Sequence, residues 1–256
     1  GVASCASSSC HSRQVDSGVN VRQNELITWQ DPSSLAGAHS RAYKVLYEGR
    51  GQAIIRKMGL GQDGIARQCL GCHADPAPAS LRGAKFQLND GVGCEACHGG
   101  SRNWLASHRA VGSPHADNVA RGLRPLENPK VRASVCLDCH FGGSKTGQFV
   151  THEIMAAGHP RVNFELDLFS SLTQHWDVDA DYVKRKGYAG GVKTWAVGQA
   201  MALERALTLY QEPARNRGAF PELYFFDCHA CHRQISDDPA AQPGPSDPLG
   251  RAALQR

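Results

Sequence analysis

The stretch Cys94-Glu-Ala-Cys97-His98 is one of five places in the chain where a cysteine pair is followed directly by a histidine. All ten cysteines belong to these pairs; four pairs have two residues between the cysteines, and the first has four. The pattern C-x-x-C-H is the attachment site of c-type haem, whose thioether bonds come from the thiols and whose iron binds the histidine. The other motifs are Cys5-Ala-Ser-Ser-Ser-Cys10-His11, Cys69-Leu-Gly-Cys72-His73, Cys136-Leu-Asp-Cys139-His140 and Cys228-His-Ala-Cys231-His232.

Zinc binding and a disulfide framework are the alternative uses of paired cysteines. Neither requires a histidine directly after every pair, whereas haem attachment does. The sequence therefore predicts five covalently bound haem c groups and no disulfides. The predicted proximal ligands are His11, His73, His98, His140 and His232.

The composition agrees with a core made partly of porphyrin. Hydrophobic residues make up 41% of the chain, somewhat below the usual share of about 45–50%. The formal charge of +4 is misleading, because ten propionates and five ferric cores bring the oxidised holoprotein to about −1. The densest basic run, Lys184-Arg185-Lys186, is short, so we expect no nucleic-acid partner.

The spacing of the motifs predicts the organisation of the chain. We expect a mainly α protein with much irregular structure, folded as one compact domain around its haems. Residues 141–227 form a long gap before the fifth motif. This gap suggests a tetrahaem part over 1–145, a helical part over 146–235 that carries the fifth haem, and a Pro-rich tail over 236–256.

Two helices are predicted from apolar periodicity. The first covers 35–48, with Ser33 or Ser34 as its N-cap. The second covers 192–210, between Gly190-Gly191 and Pro213, and has one apolar face. That face consists of Val192, Trp195, Ala196, Ala200, Leu203, Ala206, Leu207 and Tyr210.

Seven histidines remain for at most five second axial positions, while the chain has only three methionines. This supply favours bis-histidine iron of low reduction potential, since a methionine ligand raises the potential. We place His115 and His229 on the surface, and an ordinary hydrogen-bonded or surface histidine is the alternative for each of the others. The predicted distal ligands are His39, His108, His152, His159 and His175.

Several segments resemble the multihaem cytochrome c superfamily. Residues 1–145 are similar to the tetrahaem cytochromes c that accept electrons from hydroxylamine oxidoreductase, and residues 150–232 are similar to larger members. The resemblance implies that His39 and His108 are distal ligands, and that an extra histidine here closes the second haem, which lacks a distal ligand in the tetrahaem family. The similar segments include Gly91-Val-Gly-Cys94, Trp104-Leu105, His108-Arg109, Ala38-His39, Ala-Gly-His159-Pro160-Arg161, Gln174-His175-Trp176 and Phe226-Asp-Cys228.

The superfamily also contains enzymes, among them a pentahaem nitrite reductase with a C-x-x-C-K motif at its active haem. This chain has no such motif. The sequence therefore favours an electron carrier between redox protein partners over an enzyme. The enzyme alternative is a haem oxidoreductase acting on hydroxylamine, nitrite or another small nitrogen or sulfur compound, with His115 or His229 and Arg109 or Arg161 as donors.

A third hypothesis is an assembled conductor, in which haems stack between subunits. The start at Gly1 without Met suggests a mature exported protein after removal of a signal peptide. Since c-type haem is attached outside the cytoplasm, we expect a periplasmic or extracellular location. No stretch approaches the roughly 18 apolar residues of a membrane span.

Overall fold

The fold is built from short helices joined by irregular segments. The computed structural model describes residues 1–16, 21–75, 77–143, 145–213 and 221–232, except for the side chains of 229 and 230. Within these ranges all regular structure is helical, and no strand is present. The mainly α fold with much irregular structure is thus confirmed. The predicted tail, 236–256, lies outside the described residues.

Eight α-helices lie before residue 145 and five follow it in the described ranges. The first eight are α1 (Glu25–Gln30), α2 (Gly49–Lys57), α3 (Gln62–Gln68), α4 (Leu70–His73), α5 (Cys94–His98), α6 (Leu105–His108), α7 (His115–Ala120) and α8 (Pro129–Leu137). The later five are α9 (His152–Ala156), α10 (Leu166–Leu172), α11 (Ala180–Lys186), α12 (Gly191–Gln211) and α13 (Cys228–Cys231).

Tighter or wider turns complete the regular structure. Asp138–Gly142 continues α8 as a π-helical turn and carries the end of the fourth motif. The 3₁₀ turns are Val2–Ser4, Ala36–Arg41, Lys44–Tyr47, Ala79–Leu81, Leu88–Asp90, Ser101–Asn103 and Leu223–Phe225.

The helix predicted over 35–48 is wrong in type. The structure has two 3₁₀ turns there, Ala36–Arg41 and Lys44–Tyr47. Gly37 lies so close to the Asp31 carbonyl that a Cβ would come within 1.9 Å of its oxygen. This close approach holds the backbone in a tight turn. The predicted serine N-cap is also absent, because Ser33 donates to the Asp31 carboxylate instead.

The predicted helix over 192–210 is confirmed as α12, and several large side chains of its apolar face are exposed. Trp195 is 51% exposed and Leu203 is 62% exposed. The packed side instead contains small residues: a Cβ on Gly198 would lie 2.6 Å from the Leu166 side chain, and Thr194 is buried. The absence of bulk at these positions allows α12 to lie close against α10.

The apolar core consists of three small clusters of buried residues. One of them joins Ala133 and Leu137 of α8 to Leu166 of α10, and Met201 of α12 packs against it. Arg205 of α12 adds hydrogen bonds to the Asp138 carboxylate, at 2.7 Å, and to the Gly142 carbonyl. The segments before and after residue 145 therefore share one core, and the boundary placed there stays a prediction.

Candidate haem-ligation sites

Each predicted proximal histidine faces one predicted distal histidine. The five pairs have ring centres between 6.0 and 6.2 Å apart. We number the sites by motif. Site 1 is His11 with His108, site 2 is His73 with His159, site 3 is His98 with His175, site 4 is His140 with His39, and site 5 is His232 with His152.

The spacing of these rings fits one metal ion between each pair. A bond from histidine to a first-row metal is about 2.0–2.1 Å, and the ring centre lies about 1.1 Å behind the nitrogen, so two ring centres across one ion stand about 6.3 Å apart. Ordinary aromatic contacts span about 4.5–7 Å, so distance alone does not decide. The consistent match of one motif histidine with one non-motif histidine does favour axial ligation.

Hydrogen bonds at Nδ1 prepare several of these rings for a metal at Nε2. The Nδ1 atom of His73 lies 2.6 Å from the Ala42 carbonyl oxygen, that of His159 lies 2.7 Å from the Pro160 oxygen, and that of His175 lies 2.9 Å from the Thr173 oxygen. A carbonyl only accepts, so Nδ1 must carry the proton. The Nε2 lone pair is then left for the metal, as is usual for histidine ligands.

Burial keeps the rings in the neutral form that binds metal. Desolvation, with the nearby charge of His140, lowers the pKa of His39 to about 4. Desolvation also lowers the pKa of His98 to about 3 and, by a smaller amount, those of His73 and His140. A buried imidazole loses its proton because the charged form cannot be hydrated. These side chains therefore offer a free lone pair at neutral pH.

The backbone of the third motif positions the distal histidine of site 4. The His39 carbonyl accepts from the Val92 backbone N–H, and the Val92 carbonyl accepts from the Trp29 indole at 3.0 Å. Gly91 has a φ of +73° there, and a Cβ would lie 2.6 Å from the His39 carbonyl oxygen. Glycine allows this close approach, so the loop before the third motif fixes the turn that presents His39.

Short helix α9 brings the distal histidines of sites 2 and 5 together. The helix begins at His152, where Thr151 accepts from the Ile154 N–H and Glu222 accepts from the His152 N–H at 2.7 Å. It ends at Ala156, three residues before His159. Because Glu222 lies shortly before the fifth motif, its hydrogen bond draws α9 towards α13.

The five sites follow one another in the order 1, 3, 4, 2, 5. The amino terminus of Gly1 pairs with Glu95 of the third motif at 2.6 Å, which holds the segment of the first motif beside site 3. The backbone hydrogen bond from Val92, just before the third motif, to the His39 carbonyl joins sites 3 and 4. The Cys139 thiol lies 3.7 Å from the Gly71 carbonyl oxygen of the second motif, which joins sites 4 and 2. Helix α9 links sites 2 and 5.

Other candidate residues are not members of the five ring pairs. His115 is not the loop surface residue that we expected: it begins α7, is half-buried, and its Nε2 lies 2.9 Å from Glu127. The side chain of His229 lies outside the described residues. Arg161 donates to the Cys228 thiol at 3.0 Å. No group of three or more His, Cys, Asp or Glu residues in the described ranges forms a zinc-like cluster.

Sequence reasoning missed one residue at the sites. Glu25 begins α1, and its Oε2 lies 2.9 Å from Nδ1 of His11. This hydrogen bond raises the pKa of His11, and the same bond lowers the pKa of Glu25 against the opposing effect of burial. Fourteen residues separate the two, and no pattern in the sequence signals that the intervening loop brings them together.

Comparisons with known proteins point to the same class of protein as the motifs. Residues 4–99, which include the first three motifs, match the profile of the family described as "Cytochrome c554 and c-prime". The match and the sites support a multihaem c-type cytochrome. Cytochrome c-554 of Nitrosomonas europaea is 31% identical over 110 residues, which cover 41% of this chain and 40% of the relative. The chain thus matches well under half of that relative's length. No solved structure matches.

The described helices carry one further finding. None of them combines the length and the apolar character that a membrane crossing needs.

Proposed function

We propose that the chain is a pentahaem c-type cytochrome that transfers electrons between redox proteins in the periplasm or outside the cell. The observation that carries the proposal is the set of five histidine ring pairs, each joining one motif histidine to one other histidine at 6.0–6.2 Å. The name of the relative, a cytochrome, agrees with it. Each bound haem would supply one-electron chemistry between Fe(III) and Fe(II).

The chain's own residues would attach, orient and enclose these groups. The ten cysteines would form thioether bonds, and all ten are free thiols. The paired imidazoles would hold the iron of each haem, and ligation by two histidines would favour a low reduction potential. The three methionines do not belong to any ring pair; Met155 and Met201 pack against apolar clusters instead.

The same geometry favours a carrier over an enzyme. A haem enzyme needs one iron with an open or weakly held position, whereas each motif histidine here faces a second imidazole. Two of the donors suggested for an enzyme already have partners in the structure: His115 bonds Glu127, and Arg161 contacts the Tyr224 ring and the Cys228 thiol of the fifth motif. Docking to redox partners would be small and transient, as for other electron-transfer proteins.

The later part of the chain would complete sites that begin in the earlier part. His159 and His175 follow the fourth motif, yet they face His73 and His98. This arrangement supports one haem-cored unit over 1–145 and 146–235. It also supports the idea that the extra histidines close the second haem.

Haem quantification together with low-temperature EPR of the oxidised holoprotein tests the proposal. We expect five haems per chain by mass and by pyridine haemochrome, all of them low-spin. A count of four haems per chain would contradict the proposed fifth haem site. One stoichiometric high-spin signal that shifts with nitrite, hydroxylamine or cyanide would overturn the proposal of an electron carrier and would indicate an open, substrate-binding iron.

A further inference from the structure

The proximal histidines differ in what their Nδ1 atoms contact. At site 2 the partner is the Ala42 carbonyl, and at site 5 the buried Nδ1 atom of His232 has no hydrogen-bond partner among the described residues. At site 1 the partner is a carboxylate, Glu25, at 2.9 Å. Site 1 therefore stands apart, because a carboxylate brings a full negative charge whereas a carbonyl is neutral.

The structure holds Glu25 in place on several sides. Its second oxygen, Oε1, accepts from the Gln23 N–H at 3.2 Å, and the Leu26 N–H donates to the His11 carbonyl at 2.9 Å. Gln23 adopts a φ of +59°, the left-handed region that non-glycine residues rarely occupy. This turn starts α1 where its first side chain meets the His11 ring. The Glu25 side chain is only 19% exposed.

A nearby cation is held away from this carboxylate. Arg22 lies in the same turn, but its guanidinium donates two hydrogen bonds to the Asp177 carboxylate, at 2.9 and 2.5 Å. The charge of Glu25 is therefore directed mainly at His11.

A carboxylate at Nδ1 changes the metal bound at Nε2. It draws the ring proton towards itself, which makes the imidazole a more basic ligand. A more electron-rich ligand stabilises Fe(III) relative to Fe(II), and a half-buried negative charge acts in the same direction because reduction removes one positive charge from the iron.

From this contact we infer that Glu25 is a positioning and tuning residue that gives site 1 the lowest reduction potential of the five sites. The inference rests on the proposed function. Site 1 also stands at one end of the order 1, 3, 4, 2, 5. An electron that enters there leaves towards sites of higher potential, so the proposed chain of sites has a direction.

The chain contains a matched control for this inference. Glu127 makes a second histidine–carboxylate pair, also at 2.9 Å and also largely shielded, with side-chain exposures of 15% for Glu127 and 19% for His115. His115 faces no other histidine and bonds through Nε2. This pair also lies near site 1, because Asn118 of α7 accepts a hydrogen bond at 2.7 Å from the hydroxyl of Ser107, the residue before His108. Removal of the Glu127 charge therefore takes one negative charge away from the neighbourhood of site 1 without changing any contact to a proposed haem ligand.

The test is stepwise reduction of the holoprotein with dithionite, followed by EPR. The rings of site 1 are nearly parallel, at 10°, and those of site 5 are at 36°, whereas those of sites 2, 3 and 4 are at 80–87°. Sites 1 and 5 should therefore give the rhombic signals, and His152→Ala, which removes the low-spin signal of site 5, identifies the one that belongs to site 1. In the unaltered protein we expect the site 1 signal to be the last to disappear as the potential falls.

Glu25→Gln keeps an oxygen that can accept from Nδ1 and removes the charge. We expect the reduction equilibrium of site 1 to shift at least tenfold towards Fe(II), which is about 59 mV for one electron, while the other four sites move less. Glu127→Gln should move no site by that much. Equal shifts in the two variants would overturn the inference.

The two proposals fail in different ways. If five low-spin haems are found but site 1 is reduced before the others, the electron carrier stands and the role of Glu25 is wrong. If the haem number or spin state differs, the proposed function itself is wrong. If Glu25→Gln loses haem, the inference is still tested by the unaltered protein, in which the site 1 signal should be the last to disappear on reduction.

Discussion

Replacement of His159 by alanine should open one iron and leave four closed. His159 faces His73 with ring centres 6.2 Å apart, and His73 keeps its own hydrogen bond to the Ala42 carbonyl in the variant. Met155, the nearest methionine along the chain, packs against the cluster of Phe149, Leu209 and Tyr224 and is not free to take over. A weak water ligand should therefore replace the imidazole at site 2.

The expected magnitude is one haem in five. His159→Ala should show a high-spin EPR signal that integrates to one fifth of the total haem and, after reduction, should bind one carbon monoxide per chain. His115→Ala is the matched control, since His115 bonds Glu127 and faces no motif histidine; all its haems should remain low-spin. The reasoning is refuted if His159→Ala stays fully low-spin, or if His115→Ala opens an iron.

Three further predictions follow from the geometry. EPR of the oxidised protein should show two types of low-spin signal. Sites 1 and 5, whose ring planes are at 10° and 36°, should give rhombic signals, and sites 2, 3 and 4, at 80–87°, should give strongly anisotropic ones, because parallel imidazoles interact with one iron d orbital and perpendicular ones with two. Five signals of one type would contradict the pairing. Gly198→Ala should lower the free energy of unfolding by about 1–3 kcal/mol in chemical denaturation, since its Cβ would lie 2.6 Å from the Leu166 side chain. Gly187→Ala is the comparison: its Cβ would meet no atom within 4 Å, and the left-handed φ of +75° alone should cost about 1 kcal/mol. Arg205→Met should cost about 1–2 kcal/mol, because it removes the hydrogen bonds from α12 to Asp138 and Gly142; an unchanged denaturation midpoint would show that these bonds contribute little.

The sequence predicts the attachment points well because they are local. A cysteine pair and its histidine lie within seven residues even in the longest motif, so their chemistry can be recognised without a fold. The distal histidines could be proposed by elimination, since only seven remained for five positions. The structure brings each of the five proposed ones opposite a motif histidine, and their ligation to iron stays a proposal.

The features that the sequence did not predict depend on tertiary contacts. The apolar pattern of α12 placed Trp195 and Leu203 on one face, but Gly198 and Thr194 form the packed side, because close approach to α10 decides the orientation of the helix. The pattern over 35–48 gave no sign of the contact between Gly37 and Asp31 that tightens the turn. Glu25 is one of many acidic residues in the sequence, and no pattern marks it as the one that lies beside His11 in the fold.

The position of the distal histidines along the chain also has a consequence for biogenesis. Sites 1 and 4 have both their histidines within the first 140 residues, whereas sites 2 and 3 take their second histidines from His159 and His175. A polypeptide emerges from its amino end first, so in the proposed protein the second and third haems would be attached while one face of each iron is still uncovered. The arrival of the carboxy-terminal segment would then act as the last step of maturation, and an interrupted chain would be left with reactive iron.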